Sequence, residues 1–311
     1  MASEPPRKRV LVTGATGRLG VIVDVLLDRG HSVRAMTRNP TSPTAARLRA
    51  RGADVVYGDF DDPDTVAAAA VGADAMFATG TAHRAGPDGE LRHGLGVARA
   101  AAAVAIQHLV FSSGDGAAAD SPLPLFQVKH QVELHIRSLP VAHTILAPVY
   151  FMENLFNPWN LPMLRAGAFP SPIPVEVPMQ QVAIADLVRL AVIAIERPDA
   201  FAGQRITVAS DELTAAHAAH VLARVLGRDF TAAQLPSEAL SPGLRALLAW
   251  LEHHRPTVEP CRPARSLSGG RLGPLRGLGA LPACTITGAV SPRARRREVD
   301  RLPFCPAAAT A

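Results

Sequence analysis

The first 254 residues contain no cysteine; Cys261, Cys284 and Cys305 all lie beyond them. That excludes a disulfide framework or a thiolate metal site there. Lysine is nearly missing too, with only Lys8 and Lys129 against thirty arginines, a bias that reads as GC-rich coding. Aromatic residues make up 5% of the chain, and Tyr57 and Tyr150 are its only tyrosines. No apolar run reaches the roughly 18 residues that span a bilayer. The opening MASEPPRKR lacks an apolar signal core, so no membrane partner and a cytoplasmic location are expected. The net charge of +5 is also unevenly placed. Residues 255–311 carry ten arginines and three acids, a net +7, which leaves residues 1–254 at −2. A nucleic-acid partner is therefore not expected for residues 1–254.

What is present begins at RVLVTGATGRLG, residues 9–20. An apolar, β-branched run from Val10 to Thr13 leads into Gly14, Gly17 and Gly20 at three-residue spacing. An apolar helical pattern then follows through Val21, Val23, Leu26 and Leu27 to Gly30. A strand, a glycine turn and a helix in that order make a phosphate cradle. Glycines let the backbone approach a diphosphate, and the helix N-terminus aims N–H groups and positive dipole at it. A dinucleotide site is expected on Thr13, Gly14, Thr16, Gly17, Arg18, Leu19 and Gly20.

Strand-like and helix-like runs alternate through residues 1–150. Strands are predicted at 9–13, 32–37, 54–57, 74–79, 107–112 and 142–147, and helices at 17–29, 43–51, 63–71, 88–105 and 124–138. Ser42-Pro43 and Asp62-Pro63 each place a capping side chain before a proline at the first helical position. This alternation predicts an α/β fold, a Rossmann-type doubly wound parallel sheet spanning residues 1–150. Residues 151–181 are apolar, proline-rich and poor in charge, and read as a loop or short helix lining a cleft or packed on itself. A helix from Asp186, a strand near 204–209 and helices at 214–226 and 237–253 follow. Residues 151–254 are thus expected to form a small α/β substrate lobe with elements returning to the core. Residues 255–311 hold eleven Leu, Ile, Val and Phe and fourteen Pro and Gly among 57 residues, a composition that predicts a disordered basic tail. An out-of-frame reading of GC-rich DNA or a basic arm would each give it.

The end of the second strand selects the dinucleotide. NAD sites usually place an acid there, about 20 residues past the glycines, for the ribose hydroxyls. Residues 31–40, HSVRAMTRNP, contain none. Arg38 stands at that end and Arg18 lies in the glycine turn; guanidinium forks suit a 2′-phosphate, so NADP(H) is favoured over NAD(H). Asp59 and Phe60 follow the third strand, on the adenine side. Thr79, Gly80 and Thr81 follow the fourth, beside the second ribose. Ser112 and Ser113 close the fifth, and Ser113 is a candidate catalytic residue. Lys129 on the next helix reads either as an exposed lysine or as an ammonium holding ribose hydroxyls. His83, His93, His130, His135 and His143 show no ligand spacing and read as surface or core histidines, so no metal is expected; His83 alone sits in a loop expected near the nicotinamide.

VTGATGRLG, AMTRNP, YGDFDD, HLVFSSGDGA, Lys129 and TILAPVYFMEN occur in the order and spacing of the NmrA-like group of atypical short-chain dehydrogenases/reductases, which this chain resembles over about residues 8–250. The group includes NADP-sensing regulators and reductases of quinones and dyes. The resemblance implies NAD(P) on Gly14, Gly17, Gly20, Arg38, Asp59 and Phe60, and Lys129 beside the nicotinamide as a catalytic candidate. It also implies that residues 148–154 cover the substrate, with Tyr150, Phe151, Glu153 and Asn154 on the substrate side. The chain departs from the pattern at Leu125, four residues before Lys129, where short-chain dehydrogenases place a proton-donating tyrosine, and at Ala147. A positioned acid contributes roughly 10²–10⁴ in rate, so efficient alcohol–ketone interconversion is not expected. Two functions remain: an NADPH-dependent reductase of a small apolar conjugated acceptor such as a quinone, or a non-catalytic NADP(H) sensor acting on a regulatory protein partner.

Overall fold

The computed structural model describes residues 6–253 except 119, 120, 122, 236, 237, 239 and 241. The tail expected at 255–311 lies outside the described residues. The strands are β1 Arg9–Val12, β2 Ser32–Thr37, β3 Asp54–Tyr57, β4 Ala75–Thr79, β5 His108–Ser112, β6 His143–Pro148, β7 Tyr150–Phe151, β8 Ala168–Ser171, β9 Met179–Val182, β10 Arg205–Val208, β11 Asp211–Leu213 and β12 Thr231–Gln234. The helices are α1 Val21–Asp28, α2 Pro43–Ala50, α3 Pro63–Ala70, α4 Ala82–Ala103, α5 Pro124–Ser138, α6 Leu161–Arg165, α7 Ile184–Glu196, α8 Pro198–Phe201, α9 Ala215–Leu226 and α10 Pro242–His253. Two compact units result. The first comprises described residues within 6–153, 181–209 and 240–253, and the second those within 154–180 and 210–239.

The first unit is built on a parallel sheet of seven strands in the order β3-β2-β1-β4-β5-β6-β10. Val10, Leu11 and Val12 are fully buried, as continuous apolar strands are when helices cover both faces of a sheet. Leu11, Met76, Leu109, Phe111 and Ile145 from the strands pack against Val66, Val97 and Ile136 from α3, α4 and α5. Each such side chain contributes about 1.5–3 kcal/mol on burial. Strand order reverses between β1 and β4, and in such sheets ligands bind outside the carboxyl ends of the strands at that switch. The expected caps form: Ser42 Oγ accepts from Ala45 N and Asp62 Oδ1 from Asp64 N, each ahead of a proline in the first turn. α4 begins earlier than the predicted residue 88 and bends at Gly86, whose φ of +65° precedes Pro87.

In the second unit β8 pairs in parallel with β12, and α6 and α9 cover them around Leu164, Ala219 and Phe230. The Arg228 guanidinium lies 4.5 Å from the Phe230 ring centroid. Residues 151–181 are more structured than a loop or short helix. They hold Phe151 of β7, a 3₁₀ turn at Met152–Phe156, α6, β8 and all of β9 but Val182. β8 forms by pairing with TAAQ at 231–234, a partner some 60 residues away with little strand propensity of its own.

Candidate functional site

The glycine turn follows β1 directly. Thr13 N donates to Phe77 O at 3.0 Å and Ala15 N to Met36 O at 3.3 Å, which pins the turn across β4 and β2. Gly14 adopts φ +61°, a left-handed conformation that other residues rarely take. Gly17 N donates to Gly14 O and Gly20 N to Gly17 O, and a single 3₁₀ turn, Arg18–Gly20, leads into α1. A Cβ on Gly20 would stand 1.9 Å from Ala15 O, so only glycine lets α1 start this close to the strand. Thr16, Gly17 and Arg18 are exposed, Thr13 is buried, and the turn contains no acid. A diphosphate fits these residues, because the backbone is bare and the turn itself carries no anionic side chain.

Across the turn, Thr16 Oγ1 lies 3.3 Å from Thr37 Oγ1 at the end of β2. Thr37 also accepts from Asn39 N, and Arg38 between them is exposed. The sheet thus brings Arg38 and the glycine turn to neighbouring strand ends. After β3, Asp59 Oδ1 accepts from Asp61 N and Asp59 N donates to Thr65 Oγ1, fixing the loop that carries Phe60.

Beyond β4 a polar network links both halves of the sheet's carboxyl edge. Lys129 Nζ on α5 is 2.5 Å from Glu90 Oε1 on α4, with the side chains only 12% and 2% exposed. Glu90 Oε2 accepts from Thr81 N, and Thr81 Oγ1 lies 2.7 Å from His93 Nδ1. His93 Nε2 lies 2.8 Å from Asp61 Oδ1, which also takes a 2.6 Å bond from Arg92. Those bonds, Arg92's first and then His93's, hold the Asp61 carboxyl down at about 2. Phe60 stacks on the His93 ring at 5.6 Å between centroids. A Cβ on Gly80 would meet Glu90 Oε1 at 2.0 Å, so glycine at that position makes room for the carboxylate.

Ser113 Oγ donates to Glu133 Oε1 at 2.6 Å. Glu133 is fully buried and also holds Arg137 and Arg205, each at 2.9 Å. The Ser113 proton is therefore committed inward. Leu125 sits in the first turn of α5, one turn ahead of Lys129. Tyr150 and Phe151 form β7 and pair with Gln181 and Val182. Glu153 Oε1 accepts from Ile184 N at 2.9 Å and so caps α7, while its buried Oε2 has no hydrogen-bond partner. Asn154 belongs to the second unit, where its carbonyl accepts from Asn160 Nδ2. The His83 side chain lies outside the described residues.

Among the sequence-predicted residues, the first unit brings together Thr13 to Gly20, Arg38, Asp59, Phe60, Thr79, Gly80, Ser113 and Lys129 along the carboxyl ends of β1 to β5. Sequence reasoning missed Glu90, Asp61 and Glu133, and took His93 for an ordinary surface or core histidine; Thr81, expected beside the second ribose, is held by Glu90 and His93. A lysine one turn from Val132 on a core-facing helix was the available signal, since a buried ammonium requires a carboxylate partner.

Comparison with known proteins agrees with this architecture. An NAD(P)H azoreductase of Xenophilus azovorans is 28% identical over 190 residues, 61% of this chain and 64% of the relative. The triphenylmethane reductase of Citrobacter sp., solved with NADP(H), superposes with a TM-score of 0.65 at 21% identity, covering 78% of this chain and 88% of that one. NmrA, a negative transcriptional regulator solved with NAD, gives 0.65 at 23% identity over 79% and 81%. The chain spans only about half to just under two thirds of the length of the curated relatives it matches. The family model described as NmrA-like matches residues 6–249, and the chain belongs to the NmrA-like family.

Proposed function

We propose that the chain binds NADP(H) in preference to NAD(H) and reduces a small apolar conjugated acceptor of the quinone or dye class. The observation that carries this reading is the bare glycine turn from Gly14 to Gly20, which suits a diphosphate, while Leu125, one turn ahead of Lys129, limits the acceptor to one that needs no positioned acid. When bound, the reduced dinucleotide supplies the hydride. Gly14 to Gly20 hold its diphosphate, Arg38 and Arg18 its 2′-phosphate, and Asp59 and Phe60 border its adenosine end. Thr79, Gly80 and Lys129 hold the second ribose, with Ser113 beside them, and Tyr150, Phe151 and Glu153 form the substrate side. A ketone needs a positioned acid as hydride arrives; a conjugated acceptor spreads the negative charge and takes its proton from water, so Leu125 is tolerated. An azoreductase and a triphenylmethane reductase among the similar proteins support acceptors of this kind.

The test is NADPH consumption by the purified chain against a panel of quinones, azo dyes and triphenylmethane dyes. Acceptor-dependent consumption is expected. Tight NADPH binding with no consumption above background favours a second reading, a cofactor sensor without turnover. That reading draws on the inward commitment of the Ser113 proton to Glu133 and on the likeness to a transcriptional regulator.

A further inference from the structure

We propose that Glu90 is the built-in counter-charge of Lys129 and thereby sets how strongly the site discriminates oxidised from reduced dinucleotide. This rests on the dinucleotide reading above. The carboxylate is held on both oxygens: Oε1 by the Lys129 ammonium at 2.5 Å, Oε2 by the backbone N–H of Thr81. Gly80 leaves it room on the third side. The two helices that carry the pair are locked together, since a Cβ on Gly94 of α4 would fall 2.6 Å from Val132 Cγ2 of α5. The Lys129 stem runs past Gly114, with Cδ 3.5 Å from where a Cβ there would be. The pair therefore spans the segments that leave β4 and β5, beside the point where strand order reverses.

A nicotinamide ring carries a positive charge when oxidised and none when reduced. A lone buried ammonium beside it would repel the oxidised form and leave the reduced form alone. Glu90 cancels most of that field, because the pair is close, desolvated and nearly neutral as a unit. Leu125 sharpens the argument. With an aliphatic side chain one turn ahead, no titrating hydroxyl faces Lys129 from its own helix. Glu133, one turn further along α5, is taken up by Ser113, Arg137 and Arg205, so balance of the lysine charge falls to α4. Glu90 is thus a positioning and field-setting residue that acts through Lys129.

The experiment is calorimetric titration of the full chain with NADP⁺ and, separately, NADPH at one fixed salt concentration. In Glu90→Gln, which keeps shape and removes charge, NADP⁺ affinity should fall about threefold or more beyond any fall in NADPH affinity. Adding Lys129→Gln to that variant should return the ratio of the two affinities toward that of the unsubstituted chain, though both weaken. Should Glu90→Gln not fold, Gly80→Ala displaces the same carboxylate and should shift the ratio the same way. Equal weakening of both nucleotides overturns the proposal and makes Glu90 merely structural. Failure of the unsubstituted chain to bind either nucleotide overturns the dinucleotide reading itself.

Discussion

Arg38 follows a strand that ends without a carboxylate, and under the proposed function that one position separates two nucleotides differing by a phosphate. Its guanidinium is exposed at the end of β2, near Thr16 and Thr37 of the glycine turn's border. Arg38→Ala should weaken NADPH about tenfold or more while NADH changes little, as loss of a charge-assisted phosphate contact worth about 1.5–3 kcal/mol requires. Fluorescence titration with both nucleotides checks this, and equal weakening removes the 2′-phosphate argument. Gly20 is constrained differently. Gly20→Ala forces a Cβ into the Ala15 carbonyl, and the expected result is loss of nucleotide binding together with a lowered melting temperature. Both residues were legible in the sequence, because glycine spacing and a missing acid are local facts. Glu90 was not. Its partner Lys129 lies 39 residues away, and helical periodicity gives no sign of which polar side chain turns inward.

The elements most legible in the sequence were the core strands, whose apolar runs are short, dense and buried on both faces. Helices α2 and α3 were legible through their Ser-Pro and Asp-Pro starts. β8 and β12 were not, since TAAQ and AFPS carry no alternating pattern and owe their strand form to each other. α5 illustrates the limit in energetic terms. Its apolar face packs Val132 and Ile136 into the core, yet the same helix carries Glu133, fully buried and met by Ser113, Arg137 and Arg205. A carboxylate at that depth persists only with such partners. Glu133→Ala would leave two arginines facing each other without their shared anion. A loss of about 3–5 kcal/mol is expected by urea denaturation. A loss under about 1 kcal/mol would show that the network adds little.

At the scale of the whole molecule, pH separates two contributions to stability. His108 is buried on β5, where its Nε2 donates to Thr144 Oγ1, whose hydroxyl donates to Phe201 O. Burial first, with the Lys8 and His143 charges adding, lowers the His108 pKa to about 4. The unfolded chain takes up this proton near pH 6.5 and the folded chain only near 4, so folded stability declines as pH falls through that window. The expected decline is about 3 kcal/mol, and His108→Asn should flatten it. Asp61, held at about 2, contributes stability that disappears only below its ordinary range near 3.8, and so at lower pH than His108 acts. Chemical denaturation across pH 7 to 2 resolves the two. Neither was legible in the sequence, because burial of a histidine depends on the sheet as assembled.

Among the described residues no helix is long and apolar enough to cross a membrane. The edge of the parallel sheet and its glycine turn remain the centre of the account, and calorimetric titration of the intact chain with NADPH tests them most directly. Saturable binding at one nucleotide per chain, tighter than for NADH and accompanied by a higher melting temperature, is the predicted result. No saturable heat and no thermal shift with either nucleotide would contradict it.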